Sequence, residues 1–159
     1  MDTFTVSFFG NRRIEDPFAV EERLEGEVRR LLNSGKFIEF LVGRSGEFDL
    51  LAAAVVRRCR ERVREDNSLL VLVLPYETAE YRKNRSAFEN YYGEIEICED
   101  SAGEHYKRAY RIRNDAVLAR SDLALFYAGY EEGNTGKMLA QAKKAGIPFL
   151  NLAPPHPQT

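Results

Sequence analysis

The chain predicts an α/β fold: a single-domain, doubly wound and mainly parallel sheet with helices on both faces. Three observations carry this. Short apolar runs alternate with amphipathic helical stretches along the whole chain. The run Leu69–Leu74 is wholly apolar, as strands covered on both faces are. Glycine or proline closes each of the first three apolar runs, at Gly10, Gly43 and Pro75.

The elements follow in order. Thr3–Phe9 reads as the first strand, ending at Gly10. Asp16-Pro17 reads as a helix cap with proline in the first turn. Val20, Leu24, Val28, Leu31 and Leu32 then share one helical face, and Asn33-Ser34-Gly35 stops that helix. Phe37–Val42 is the second strand. A helix is expected from about Phe48 to Arg64, with Leu51, Val55, Cys59 and Val63 inward. Leu69–Leu74, Glu94–Cys98, Leu123–Tyr127 and Ile147–Leu152 read as strands three to six. Helices are expected over Ala102–Arg120 and from Lys137 onward. Right-handed crossovers give an expected strand order close to 3-2-1-4-5-6. The domain is expected to span 1–152, with 153–159 a loose tail.

Composition narrows the function classes. At 159 residues the chain is long enough for a real core. Its net charge of −2 gives no bulk electrostatic reason to expect nucleic acid or a membrane surface as partner. No apolar run reaches the ~18–20 residues of a membrane span. MDTFTVSFFG has no basic leader region and reads as a strand. Cys59 and Cys98 read as small buried residues, which fits a reducing cytoplasm. No metal-ligand cluster and no cofactor is expected.

In doubly wound sheets, ligands bind at the carboxyl ends of the strands. Gly10-Asn11-Arg12-Arg13 follows strand one there, and Gly43-Arg44-Ser45-Gly46-Glu47-Phe48-Asp49 follows strand two. The glycine-rich loop Ala128–Gly136, with Gly133, Asn134 and Thr135, follows strand five and precedes a helix. Backbone amides at such turns suit an anion. Arginines supply charge, and Asn, Asp or Glu can hold sugar hydroxyls and base edges. Alternatives stand beside each reading. Arg12, Arg44 and Arg113 also fit surface ion pairs, Asp49 and Asp122 fit caps, and the glycines fit tight turns. Glu47 is the preferred pocket carboxylate. Asn114, awkward in mid-helix, is expected to face the pocket. The Arg57–Arg64 run, interleaved with Glu61 and Glu65, reads as a solvated helix face. His105 and His156 read as exposed bystanders. Pro75–Gly93 is long for an α/β connection; it reads either as a lid carrying tyrosines and arginines or as an ordinary surface loop with a little helix.

Four motifs in register resemble those of the SLOG superfamily. Phe8-Phe9-Gly10-Asn11-Arg12 is similar to its FxGHR start, with Asn in place of His. Gly43 with Gly46, Phe48 and Asp49 is similar to its GxxxGFD turn. Tyr110-Arg111-Ile112-Arg113-Asn114 with Ser121-Asp122 resembles YxxRN…SD, and Gly133-Asn134-Thr135-Gly136 stands where the family has GGTG. The resemblance implies a Rossmann-like domain that binds nucleotides or their derivatives, related to the Lonely Guy phosphoribohydrolases and the DNA-processing protein A core. It also implies self-association. The Lonely Guy glutamate pattern PGGxGTxxE is absent, with Lys137 or Gln141 near where the glutamate would stand. Nor is the loop a Walker A motif. The expected function is therefore a sensor or sequestering module for a small nucleotide derivative, with nucleic acid an unlikely partner and a homo-oligomer possible. The alternatives are an N-glycosidic hydrolase using Glu47, and an interaction domain with a degenerate pocket.

Overall fold

A computed structural model describes residues 2–129 and 133–154. Tyr130–Glu132 of the glycine-rich loop, and His156 with the rest of the 155–159 tail, lie outside the described residues. The strands are β1 (Thr3–Gly10), β2 (Phe37–Val42), β3 (Ser68–Leu74), β4 (Glu94–Ile97), β5 (Leu123–Tyr127) and β6 (Phe149–Asn151). The helices are α1 (Pro17–Leu32), α2 (Glu47–Arg62), α3 (Ala79–Lys83), α4 (Arg85–Tyr91), α5 (Tyr106–Ala119) and α6 (Asn134–Ala145). All six strands are parallel and form one sheet in the order β4-β3-β2-β1-β5-β6. This is the expected fold class, an α/β single domain.

Period-two alternation divides the core between the faces. Val6 and Phe8 of β1, Ile38, Phe40 and Val42 of β2, and Leu70, Leu72 and Leu74 of β3 join the larger cluster, under α1, α2 and α4. Phe9, Leu41, Val71, Val73 and Phe126 join the smaller cluster, with Val117 and Leu118 of α5 and Met138 and Ala142 of α6. The expected inward face of α1 is buried at all five positions, and the Asp16 carboxylate accepts from the Ala19 amide at 3.3 Å. Each such buried Val or Leu stabilises the fold by about 1.5–3 kcal/mol relative to an exposed one.

One strand departs from the expected order. β4 pairs with β3 at the sheet edge instead of returning beside β1. The cause is the Pro75–Gly93 segment. The segment carries the little helix expected of it, as α3 and α4, but it is not a surface loop: Tyr81, Phe88 and Tyr92 bury into the larger cluster. That docking carries the chain outward past β3, where the Gly93 amide donates to the Leu70 carbonyl at 2.9 Å. The switch point therefore lies between β1, whose Gly10 is in register with Tyr127, and β5.

Helix starts also moved. Gly133, at φ 103°, caps α6, so Asn134, Thr135 and Gly136 form its first turn rather than a loop. α5 begins four residues later than expected, because 101–105 make a turn pinned by buried Ser101, whose Oγ donates to the Pro75 carbonyl at 2.5 Å.

Candidate functional site

The carboxyl ends of β1, β2 and β5 are stitched together before any ligand is considered. The Asn11 amide donates to the Tyr127 carbonyl at 3.0 Å, and the Asn11 Oδ1 accepts from the Gly129 amide at 2.7 Å. The Glu47 amide donates to the Arg12 carbonyl at 2.9 Å. Two glycines are required by these close approaches. A Cβ on Gly10 would lie 2.3 Å from the Phe48 ring, and one on Gly46 would lie 2.6 Å from the Arg12 Cα.

Three adjoining concavities open on this end. An inner cavity of about 190 Å³ lies among Gly43, Arg44, Ser45, Tyr76, Tyr110, Arg113 and Asn114. A second, of about 240 Å³, lies among Gly10, Asn11, Arg12, Ser45, Asp49, Tyr110, Arg113, Asn114, Asn134 and Thr135. A longer groove of about 950 Å³ runs between α5 and α6, and shares Arg12, Tyr110, Asn114, Asn134 and Met138 with the second cavity. Gly46, Gly133 and Gly136 line none of them.

The carboxylates are placed differently from the expectation. Glu47 turns away: its Oε2 accepts from the Ile14 amide at 2.7 Å and belongs to the β1–α1 connection. Asp49 is the carboxylate that lines the second cavity. Its Oδ2 accepts from both the Ser45 amide and the Ser45 Oγ at 3.0 Å. Burial pushes the Asp49 carboxyl above its ordinary value, against the pull of those bonds and of Arg113. The sequence offered two acidic residues in one helix turn. Asp49, the third residue of α2, reaches back to Ser45 and faces in, while Glu47, the first, is taken up by the Ile14 amide.

Arg113 is 4% exposed. Its Nε donates to the Val73 carbonyl and its Nη1 to the Asn114 Oδ1, both at 2.8 Å, while its Nη2 has no partner among the described residues. Burial pulls its pKa down, yet a guanidinium stays protonated at any working pH. Arg44 is held by Glu80 at 2.8 Å and the Tyr92 hydroxyl at 3.0 Å, with Phe88 under its guanidinium. Burial, reinforced by Tyr76, holds the Tyr110 phenol above its ordinary pKa and therefore neutral.

The groove has a chemistry of its own. Arg12, Lys107, Arg108, Arg111 and Lys137 line it, against the single carboxylate of Asp115. Tyr110 and Tyr106, the latter 52% exposed, supply ring faces. Arg108 pairs with Glu104 at 3.4 Å. The side chains of Arg12, Arg111 and Lys137 form no hydrogen bond or ion pair with another described residue. Sequence reasoning missed Tyr106, Lys107 and Lys137 as a set. The signal was present in Tyr106-Lys107-Arg108 and Tyr110-Arg111, two basic–aromatic groups one helical turn apart.

No helix among the described residues is long and apolar enough to cross a membrane. No family model matches the chain, and no curated protein does. Among solved structures it is similar to DNA processing protein A from Streptococcus pneumoniae, with a TM-score of 0.66 and 14% identity over 92% of this chain and 49% of that one. It is also similar to DNA processing protein A from Helicobacter pylori, with a TM-score of 0.62 and 16% identity over 92% of this chain and 63% of that one. The chain thus spans less than two thirds of either neighbour, and identities this low show the shared Rossmann-like fold. The Helicobacter pylori protein has a single-stranded DNA binding mode. That finding overturns two expectations at once: the nucleotide-derivative sensor, and the dismissal of nucleic acid as a partner. The dismissal rested on net charge, a sum that hides how positive charge gathers along one groove.

Proposed function

We propose that this chain binds single-stranded DNA along the groove between α5 and α6. The observation that carries the reading is the groove itself: five lining cations, of which Arg108 is paired with Glu104, against one lining carboxylate, interleaved with exposed tyrosine, in a chain whose net charge is −2. Phosphates meet the cations, and bases meet the ring faces; this pairing is how single strands are held without sequence preference. A single strand suits a concave lining in which rings and charges alternate, because its bases are free to turn toward the wall. The single-stranded DNA binding of a protein with this fold supports the reading. So do the four motifs in register with the SLOG superfamily, which we propose as this chain's wider group. Two free cysteines are in keeping with a cytoplasmic setting.

The test is fluorescence anisotropy with a labelled oligothymidylate of about twelve nucleotides. Wild-type protein binds, and affinity falls linearly in log–log form with salt. Lys107→Glu combined with Arg111→Glu weakens binding at least about tenfold. The salt slope also falls by about 1.4, at about 0.7 per lost phosphate contact on a single strand. Binding with an unchanged slope in the double variant would place the strand elsewhere.

A further inference from the structure

The groove does not end at Tyr106. On the far side of that ring lies an outer hollow of about 570 Å³, bounded by Tyr76, Glu77, Arg82, Gly103, Glu104 and Tyr106. Resting on the groove reading, we infer that the bound strand continues past Tyr106 into this hollow, and that the hollow holds it by base stacking rather than by phosphate contact.

Three observations support this. First, the hollow is a continuation of the groove, since Tyr106 lines both, and Tyr76 on the opposite wall meets Tyr110 edge-on at 6.0 Å. Three tyrosines thus stand in succession at the boundaries between concavities. Second, the walls are fixed relative to each other. Ser101 is buried and its Oγ donates to the Pro75 carbonyl, tying the turn that carries Gly103 to the segment just after β3 that carries Tyr76. Space is open at the turn, where a Cβ on Gly103 would meet nothing within 4 Å.

Third, the charge is wrong for phosphate. Glu77 and Glu104 face a single lining cation, Arg82. Glu77 pairs with Arg85 and Glu104 with Arg108, but both pairs are solvent-exposed and compensate their carboxylates only in part, so two acidic groups still stand beside one lining cation. A backbone phosphate gains little beside such a set, whereas ring faces attract bases whatever the charge. The groove and the hollow therefore divide the strand's chemistry: the groove takes charge, and the hollow takes bases.

The experiment compares three oligomers by anisotropy over a salt series. One has about six thymidines, one about fourteen, and one has the longer backbone with abasic sites flanking six central thymidines. The full-length thymidine oligomer binds on the order of tenfold more tightly than the short one, with the same log–log salt slope. The abasic oligomer binds like the short one. Tyr106→Ala brings the long-to-short affinity ratio to about one, and Tyr106→Phe, which keeps the ring, restores it. Equal affinity for short and long oligomers overturns the extension and leaves the groove reading standing. A gain that steepens the salt slope, or that survives abasic replacement, also overturns the extension. Absence of binding to every oligomer overturns both.

Discussion

The α5/α6 face of the sheet gathers cations unpartnered among the described residues along a groove, while several basic residues of the α1/α2 face are tied to the protein itself. On the α1/α2 face, basic residues are spent on the protein itself. Arg58 pairs with Glu21 and Glu25, Arg60 binds Ser68 and the Glu65 carbonyl, Arg57 lies over the Tyr91 ring, and Arg64 pairs with Asp66. On the α5/α6 face, Arg12, Arg111 and Lys137 line an open groove without a described partner. The core follows the same division. The larger cluster lies beneath α1 and α2, and the smaller lies beneath the groove. Density of basic residues in the sequence is thus a poor guide to a binding face. What matters is whether acidic neighbours at helical or cross-element spacing have already claimed them.

The difference can be broken from either side. Phe48→Ala carries the largest expected effect. Phe48 is fully buried, packs on Phe8 and Tyr127, and fills the space above Gly10. Its truncation should cost about 3–5 kcal/mol in urea unfolding. Met138→Ala on the groove side should cost about 2 kcal/mol, the low end for such a change, because Met138 sits at the cavity edge. Equal costs would contradict the expectation that the larger cluster, beneath α1 and α2, is the more sensitive to truncation.

Next comes Gly46→Ala. Its Cβ would meet the Arg12 backbone, which cannot swing aside as a side-chain tip can. We expect about 1–3 kcal/mol of destabilisation and weaker oligothymidylate binding, as Arg12 shifts. Stability loss with unaltered binding would show that the β1 and β2 turns are not coupled to the groove.

Charge swaps on the closed face sharpen the contrast. Arg57→Glu with Arg64→Glu should change oligothymidylate affinity less than about twofold, since neither lines the groove. A loss matching that of the Lys107/Arg111 pair would mean that overall charge, not the groove, governs binding.

The smallest effect is one of pH. Burial raises the Asp49 pKa in the folded protein above the unfolded value. The folded state therefore holds the proton more tightly, and this group's contribution to stability is present at low pH and lost as pH rises through the folded pKa. Asp49→Asn should accordingly gain stability relative to wild type as pH rises above the ordinary carboxylate value of about 4, measured by urea unfolding at each pH. A difference independent of pH would show that Asp49 is not raised.

Much of this was legible in the chain. β2 and β5 stand where the apolar runs placed them, and the α1 face is buried at every expected position, because hydrophobic period and capping are local properties. The placement of β4 was not legible. A short edge strand has little pattern of its own, and its neighbour is chosen by how α3 and α4 dock, through Tyr81, Phe88 and Tyr92. Gly10, Asn11, Arg12, Asp49 and Asn114 were brought together at one end as glycine turns and strand ends implied. Glu47 was not, because the two helical steps between it and Asp49 turn its side chain by about 200° from the one that faces in. The groove was missed for a different reason: α5 and α6 are distant in sequence, and only packing sets Lys137 opposite Lys107 and Arg111.

Photocross-linking tests the central claim most directly. Oligothymidylate is irradiated with the protein, and the adducts are mapped by peptide mass spectrometry. The account predicts adducts on Tyr106 and Tyr110 and in the first turns of α6, competed away by unlabelled single strand. Adducts confined to α2 and Tyr91, or none above a free-chromophore control, would contradict it.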